Sequence, residues 1–302
     1  MKCTFCNIWR KNLFENEATT PQLEQRLLEC WDMGCSIVSF TGGEPLLRKD
    51  LGELLRFSSR KLGLFTGLVT NGILLDKKLD VLSKHVDSLA VSFDVNDKQI
   101  FNRTRGVDAF EKVKKNIQHA RRAGVEIELL SVITKETFSY IDDTIEFAKS
   151  LELPIHFSPV DSVPREFVDV TDANDLKVDG TATVLKKLNA EKRKYKKLHF
   201  ESDYFKFQAS GGFGNSIRCS SASTTISLKP DASVALPCPF FTLMEIGKDE
   251  SLRDCLKTEK ARRIIEHCGE WGFCNNCTVN CMYVVSLIRY PYFLLRWVKD
   301  KL

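Results

Sequence analysis

The sequence predicts an α/β fold built on a parallel sheet, followed by a smaller cysteine-rich α+β region. Three observations carry this. Short apolar runs rich in β-branched residues alternate with amphipathic segments through residues 20–160. That rhythm stops after Val160. Eleven cysteines stand in the 302 residues, and four of them crowd into "CGEWGFCNNCTVNC" at 268–281.

The elements follow in order. Residues 20–33 predict an amphipathic helix, with Thr19 or Thr20 as its cap and Pro21 in its first turn. "SIVSF" at 36–40 predicts the first strand. A helix at about 50–62 leads to the strand "LFTGLVT" at 64–70, and a helix at about 76–85 leads to "LAVSFD" at 89–94. A helix at about 108–123 precedes "IELLSVIT" at 127–134, and a helix at about 140–151 precedes "IHFSPV" at 155–160. Right-handed crossovers would curl five such strands into an open barrel or a doubly wound sheet, and periodicity does not choose between them. Beyond Val160 come an irregular acidic stretch at 161–178 and a helix at about 180–197. A glycine-rich break at 210–215, a hairpin over 225–238 turning at Pro230–Asp231, and a helix over 251–267 follow. The domain boundary falls within 161–210.

Composition narrows the function classes. A net charge of +4 is too mild to imply nucleic acid. No run of eighteen apolar residues offers a membrane span, and no secretory signal opens the chain. The cysteine count then points to metal or redox chemistry before disulfides, and to a cytoplasmic, reducing location.

Two short motifs carry chemistry. "KCTFC" places Cys3 and Cys6 two residues apart around Phe5, a metal-binding spacing that needs further ligands. "TGGEP" at 41–45 follows the first strand, at the sheet edge where parallel α/β folds bind ligands. Gly42 and Gly43 let backbone approach a ligand, Glu44 supplies a carboxylate suited to an ammonium group, and Pro45 stiffens the turn. Taken alone, "GGEP" is matched fairly by a tight turn with a solvated glutamate.

Together the two motifs resemble the radical S-adenosylmethionine (SAM) superfamily, whose signature is Cys-x3-Cys-x2-Cys followed by a GGE-type turn. Cys3, Phe5 and Cys6 match its second cysteine, aromatic and third cysteine, and Gly42–Pro45 match the turn. "TNG" at 70–72, "SFD" at 92–94 and "RTRG" at 103–106 resemble further family positions. The resemblance covers roughly residues 1–160. It implies a partial parallel (β/α)6-type TIM barrel and a [4Fe–4S] cluster whose open iron binds SAM. It implies reductive cleavage of SAM to a 5′-deoxyadenosyl radical that takes hydrogen from a peptide, protein, sugar or cofactor precursor. An electron donor such as ferredoxin or flavodoxin is implied as a partner. Cys3 and Cys6 become cluster ligands. Gly42, Gly43, Glu44, Pro45, Asn71, Ser92, Asp94 and Phe5 become SAM-binding residues. The family's first cysteine belongs four residues before Cys3, upstream of Met1. The chain is therefore expected to be truncated within the motif and to lack the first strand; a complete but degenerate relative is the competing reading.

The later cysteines resemble the SPASM or shorter twitch extension of that superfamily. Cys219 and Cys238 flank the expected hairpin, and Cys274, Cys277 and Cys281 follow a linking helix. The order x5, x2, x3 from Cys268 departs from the full SPASM spacing. One auxiliary [4Fe–4S] cluster on Cys219, Cys238 and two of Cys274, Cys277 and Cys281 is expected, against a structural zinc site of similar spacing. Cys30, Cys35 and Cys255 are expected to be inert. Cys268 stays undecided. The expected domains are a core at 1–160, a linker with a basic helix at 161–210 and the auxiliary domain at 211–302. The lysines of the basic helix are read as a solvated face. The apolar, aromatic tail at 283–302 is read as packing on the fold rather than lying on a membrane.

Overall fold

A computed structural model describes residues 1–6, 8–10, 16–161, 176–214 and 217–287. The tail beyond 287 lies outside the described residues. The chain divides into two compact units.

The first unit comprises Met1–Lys11, Gly34–Val160 and Asp175–Phe200. Its sheet runs β1 (Ile37–Phe40), β2 (Phe65–Thr70), β3 (Ser88–Ser92), β4 (Glu128–Ile133), β5 (Ile155–Pro159) and β6 (Leu198–His199), in that spatial order. Every neighbouring pair is parallel. A doubly wound sheet reverses its strand order at a switch point, whereas this order advances one strand at a time. The partial-barrel alternative is therefore the one realised. The alternating side chains of β2 and β4 bury Leu68 and Leu129, and β3 and β5 bury Val91 and Phe157, all at 1% exposure or less.

The structure differs from the sequence reading at several elements. β6 is a sixth strand, too short to leave a periodic signal. A helix at Lys98–Arg105 adds to the expected elements; it buries only Ile100 and Phe101 as apolar residues, too few to show a helical period. Its ends were legible: the Asp97 side chain accepts from the Ile100 N–H at 2.9 Å, and Gly106 closes it at φ 62°. The helix expected at 50–62 is regular only over Leu51–Arg56 and widens at Phe57–Lys61. There the Ser58 and Ser59 hydroxyls donate to the carbonyls of Leu54 and Leu55, competing with the backbone ladder. The basic helix (Thr181–Lys194) belongs with the sheet rather than to a linker, because it leads directly into β6. Lys187 pairs with Asp142, Lys194 with Glu191, and Lys197 donates to the Glu152 carbonyl, so these charges are met locally.

The second unit comprises Asn12–Met33, Asp161–Asn174 and Glu201–Leu302. The helix Thr20–Asp32 sits here rather than in the core region where the sequence reading placed it. Arg26, 1% exposed, explains this: its guanidinium donates to the carbonyls of Ala232, Gly247 and Glu250. A side chain committed to three carbonyls is costly to withdraw. The hairpin pairs β7 (Val234–Pro237) with β8 (Thr242–Ile246), later than expected. The turn at 229–233 is present, tightened by Asp231 accepting from Ser233, and across it Leu228 bridges Val234 and the Lys229 N–H donates to the Ser233 carbonyl. The helix expected over 251–267 is two, Leu252–Lys257 and Glu259–Glu266. Thr258 breaks them by turning extended and capping the second. Tyr204, Phe207, Phe213, Ile217, Val279 and Tyr283 form the core around Cys219 and Cys268. Among the described residues no helix is long and apolar enough to cross a membrane.

Candidate functional site

The opening loop is fastened to the end of the Lys98–Arg105 helix. The Lys2 N–H donates to the Arg105 carbonyl at 3.0 Å and the Thr4 N–H to the Thr104 carbonyl at 2.9 Å. Gly106 makes the contact feasible. A β-carbon there would meet the Lys2 carbonyl oxygen at 2.4 Å, and its φ of 62° also disfavours any side chain. The Cys6 N–H turns back to the Cys3 carbonyl at 3.3 Å, so both thiols project from one tight turn.

Arg105 then organises the site. Its Nη2 lies 2.6 Å from Asp94 Oδ2, with side chains 7% and 0% exposed. Its Nη1 lies 3.8 Å from Cys3 Sγ, and the guanidinium stacks 5.4 Å over the Phe5 ring. Asp94 Oδ1 accepts the Val132 N–H at 3.0 Å. Burial pushes the Asp94 carboxyl up, and Arg105 pulls it down. Burial likewise pushes the Cys3 thiol up, against the Arg105 charge. Asp94 was expected to face a bound ligand. The structure instead encloses it behind Arg105, because an unpaired cation at this depth would be far more costly than the pair.

Glu44 follows β1 at the carboxyl edge of the sheet. Its Oε1 accepts from the Thr70 hydroxyl at 2.7 Å and the Leu46 N–H at 3.1 Å, and its Oε2 accepts from the Asn71 N–H at 2.8 Å. An ionised carboxylate has about four acceptor positions, so three donors leave one open. Asn71 meets Glu44 through its backbone, while its side-chain oxygen accepts from the Ile73 N–H at 2.9 Å. Gly43 lies against Ile8, which brings the cysteine loop beside the glycine turn. Ser92 ends β3 on the same edge. Cys3, Cys6, Gly42–Pro45, Asn71 and Ser92 thus belong to one end of the sheet. Sequence reasoning quoted "RTRG" without giving Arg105 a task and missed the Thr70 hydroxyl. The available signal was a threonine ending β2, the strand that pairs beside β1 and its glycine turn.

The second unit gathers thiols. The neighbouring Cys268 and Ser221 side chains hold the Cys219 thiol below its ordinary value, against its burial. Burial first, with nearby Cys219 and Cys238 adding to it, pushes Cys274 up to about 11 and Cys277 to about 12. Burial and Asp161 push Cys281 to about 12, with Cys219 again contributing. Nearby backbone groups pull these thiols back down: Phe241 and Phe240 at Cys238, Ala222 at Cys268, Gly269 and Trp271 at Cys274, Val279 at Cys277 and Met282 at Cys281. Gly269 permits the close approach: a β-carbon there would sit 2.7 Å from the Cys219 backbone. Tyr204 donates to Asp161 and to the Thr278 carbonyl, bracing the same loop.

These donors fit thiolate-ligated groups. Buried thiols that raise one another are relieved by a shared cationic centre, and backbone N–H groups aimed at sulfur stabilise its charge. Beside Cys3, Arg105 Nε is buried without a partner among the described residues, a donor that a net-anionic cluster would engage. Among the described residues no three His, Cys, Asp or Glu side chains close tightly enough on a single metal ion. Cys30 is buried within its helix, and Cys255 lies 3.8 Å from Glu250 Oε1.

Comparisons with known proteins agree with the first unit's geometry. Residues 1–148 match the model of the Radical SAM superfamily. The chain is similar to a GTP 3′,8-cyclase of Synechocystis, 36% identical over 127 residues, covering 41% of this chain and 39% of that protein. It is similar to an AdoMet-dependent heme synthase of Oleidesulfovibrio alaskensis, 28% identical, covering 46% of this chain and 36% of that protein. The chain thus spans less than half the length of either relative. In fold it resembles Streptococcus suis SuiB bound to the precursor peptide SuiA, with a TM-score of 0.71 at 18% identity, covering 95% of this chain and 70% of that one. The family match is thus confined to residues 1–148, just under half of the 302.

Proposed function

We propose that this chain is a radical SAM enzyme, with SAM held at the carboxyl edge of the sheet. The observation that carries the reading is Glu44, a carboxylate fixed by three donors with one acceptor position left, beside the Cys3–Cys6 loop. That arrangement suits the ammonium of an amino-acid moiety. When bound, a [4Fe–4S] cluster and SAM supply one-electron cleavage of a sulfonium and a radical able to take hydrogen from substrate. The protein's part is to bind, orient and exclude water. Cys3 and Cys6 supply two thiolates. Arg105 offsets their charge and is itself held by Asp94. Gly42, Gly43, Pro45 and Asn71 shape the turn around Glu44, and Ser92 and Phe5 flank it.

In the second unit, Cys219, Cys238, Cys274 and Cys277 are the four thiolates of one auxiliary cluster, with Cys281 as the alternative fourth ligand. That Cys219 and Cys238 both raise Cys274 and Cys277, and so lie near them, supports this set. A peptide is the substrate class we favour, because the peptide-bound SuiB fold spans nearly the whole chain. An electron donor of the ferredoxin or flavodoxin kind would deliver the electron.

The test is anaerobic reconstitution of a chain extended at its start to place a cysteine four residues before Cys3. Given reductant and SAM, it should release 5′-deoxyadenosine. Glu44→Ala should weaken SAM binding by about 1.5–3 kcal/mol while leaving iron content unchanged. Full SAM affinity in that variant would remove Glu44 from the site.

A further inference from the structure

Cys268 lies outside the ligand set proposed above, yet its sulfur is among the most deeply placed of the group. The residue is 3% exposed, Cys219 is 8% exposed and Ser221 is 3% exposed. The Ser221 hydroxyl sits between the two sulfurs, 3.3 Å from Cys219 Sγ and 3.8 Å from Cys268 Sγ. Cys268 is also fixed through its backbone. Its carbonyl accepts from Arg218 Nε at 2.9 Å, and Gly269 packs its chain against Cys219.

The donor inventory sets the direction of these contacts. A thiolate bound to iron can only accept, so the Ser221 hydroxyl must donate to Cys219. The Ser221 oxygen then has lone pairs free, and the Cys268 thiol is a donor within reach. We propose that Cys268 and Ser221 form a hydrogen-bond relay onto the Cys219 sulfur, and that Cys268 is a positioning residue that tunes the auxiliary cluster without ligating it. This inference rests on the reading of the second unit as an iron–sulfur site. Hydrogen bonds to ligand sulfur withdraw electron density and favour the reduced, more negative cluster, so they raise its potential. Burial strengthens the effect, since no water competes for the sulfur.

The experiment uses the full chain carrying Cys3→Ala and Cys6→Ala, so that any cluster belongs to the second unit. Iron per chain and the midpoint potential are measured after anaerobic reconstitution. Ser221→Ala and Cys268→Ala should keep the iron content of the background chain and shift the potential to more negative values. Cys268→Ser, which retains a donor, should return the potential most of the way to the background value. Cys277→Ala should lose the cluster and serves as the ligand control. Iron loss in Cys268→Ala matching that of Cys277→Ala would make Cys268 a ligand and overturn the proposal. Full iron with an unchanged potential in both Ser221→Ala and Cys268→Ala would overturn it equally. A background chain that takes up no iron would defeat the iron–sulfur reading itself, and the relay with it.

Discussion

Arg105 joins Asp94 to Cys3: its Nη2 lies 2.6 Å from Asp94 Oδ2 and its Nη1 3.8 Å from Cys3 Sγ. A buried carboxylate after β3 thereby sets the charge beside a cysteine at the start of the chain. Asp94→Ala would strand the Arg105 cation in the interior. Breaking such a pair should cost about 3–5 kcal/mol, read from urea unfolding of the whole chain. A loss below about 1 kcal/mol, the range of exposed pairs, would mean that water reaches Arg105 freely.

The Gly106 contact makes a different prediction. Gly106→Ala must push its new β-carbon away from the Lys2 carbonyl and adopt a left-handed backbone. The destabilisation should exceed the roughly 1 kcal/mol that glycine-to-alanine exchange gains at compatible sites. Because the displaced partner is the cysteine loop, Cys3 should react faster with a thiol reagent than in the parent chain. An unchanged labelling rate would show that Gly106 does not seat the loop.

The two classes of cysteine in the second unit should separate on metal loading. In the reconstituted chain, Cys277→Ala should lower iron by about four atoms per chain, the content of one cubane cluster. Cys255→Ala should leave it unchanged, since Cys255 meets Glu250 on a surface helix. Equal iron contents in the two variants would contradict the ligand assignment.

Tyr195 gives a pH test within the first unit. Burial pushes its hydroxyl up to about 12, where it donates to the Leu153 carbonyl at 2.6 Å. The unfolded chain loses this proton near pH 10. Between about pH 10 and 12 the folded state therefore binds more protons than the unfolded state, and stability falls as pH rises. Tyr195→Phe should be less stable than the parent below pH 10, with the gap closing as pH approaches 12. A gap independent of pH would show that burial does not raise the Tyr195 hydroxyl.

Local chemistry was legible in the sequence wherever neighbours in the chain decide the outcome. Five parallel strands were readable from runs of β-branched residues, and the "GGEP" turn from its glycines and proline. The Lys98–Arg105 helix shows where that legibility fails. Its caps, Asp97 and Gly106, were in view, but its apolar face is only Ile100 and Phe101, too short a stripe to show a helical period. β6, two residues long, offered no period at all.

By itself the sequence determined which residues could do chemistry: paired thiols around Phe5, a carboxylate at a strand end, and a late cysteine cluster. Tertiary structure decided what those residues do for one another. Asp94 changed from a ligand-facing group to the buried partner of Arg105, since only the fold shows that a cation lies 2.6 Å away and water does not. The helix at 20–32 joined the second unit because Arg26 reaches three carbonyls more than 200 residues downstream, a bond that no window of sequence contains. Cys268, neutral in the sequence, acquired a task only when folding set it across Ser221 from Cys219. Spacing along the chain selects donors, but burial and long-range partners set their charge, and these exist only once the chain has closed on itself.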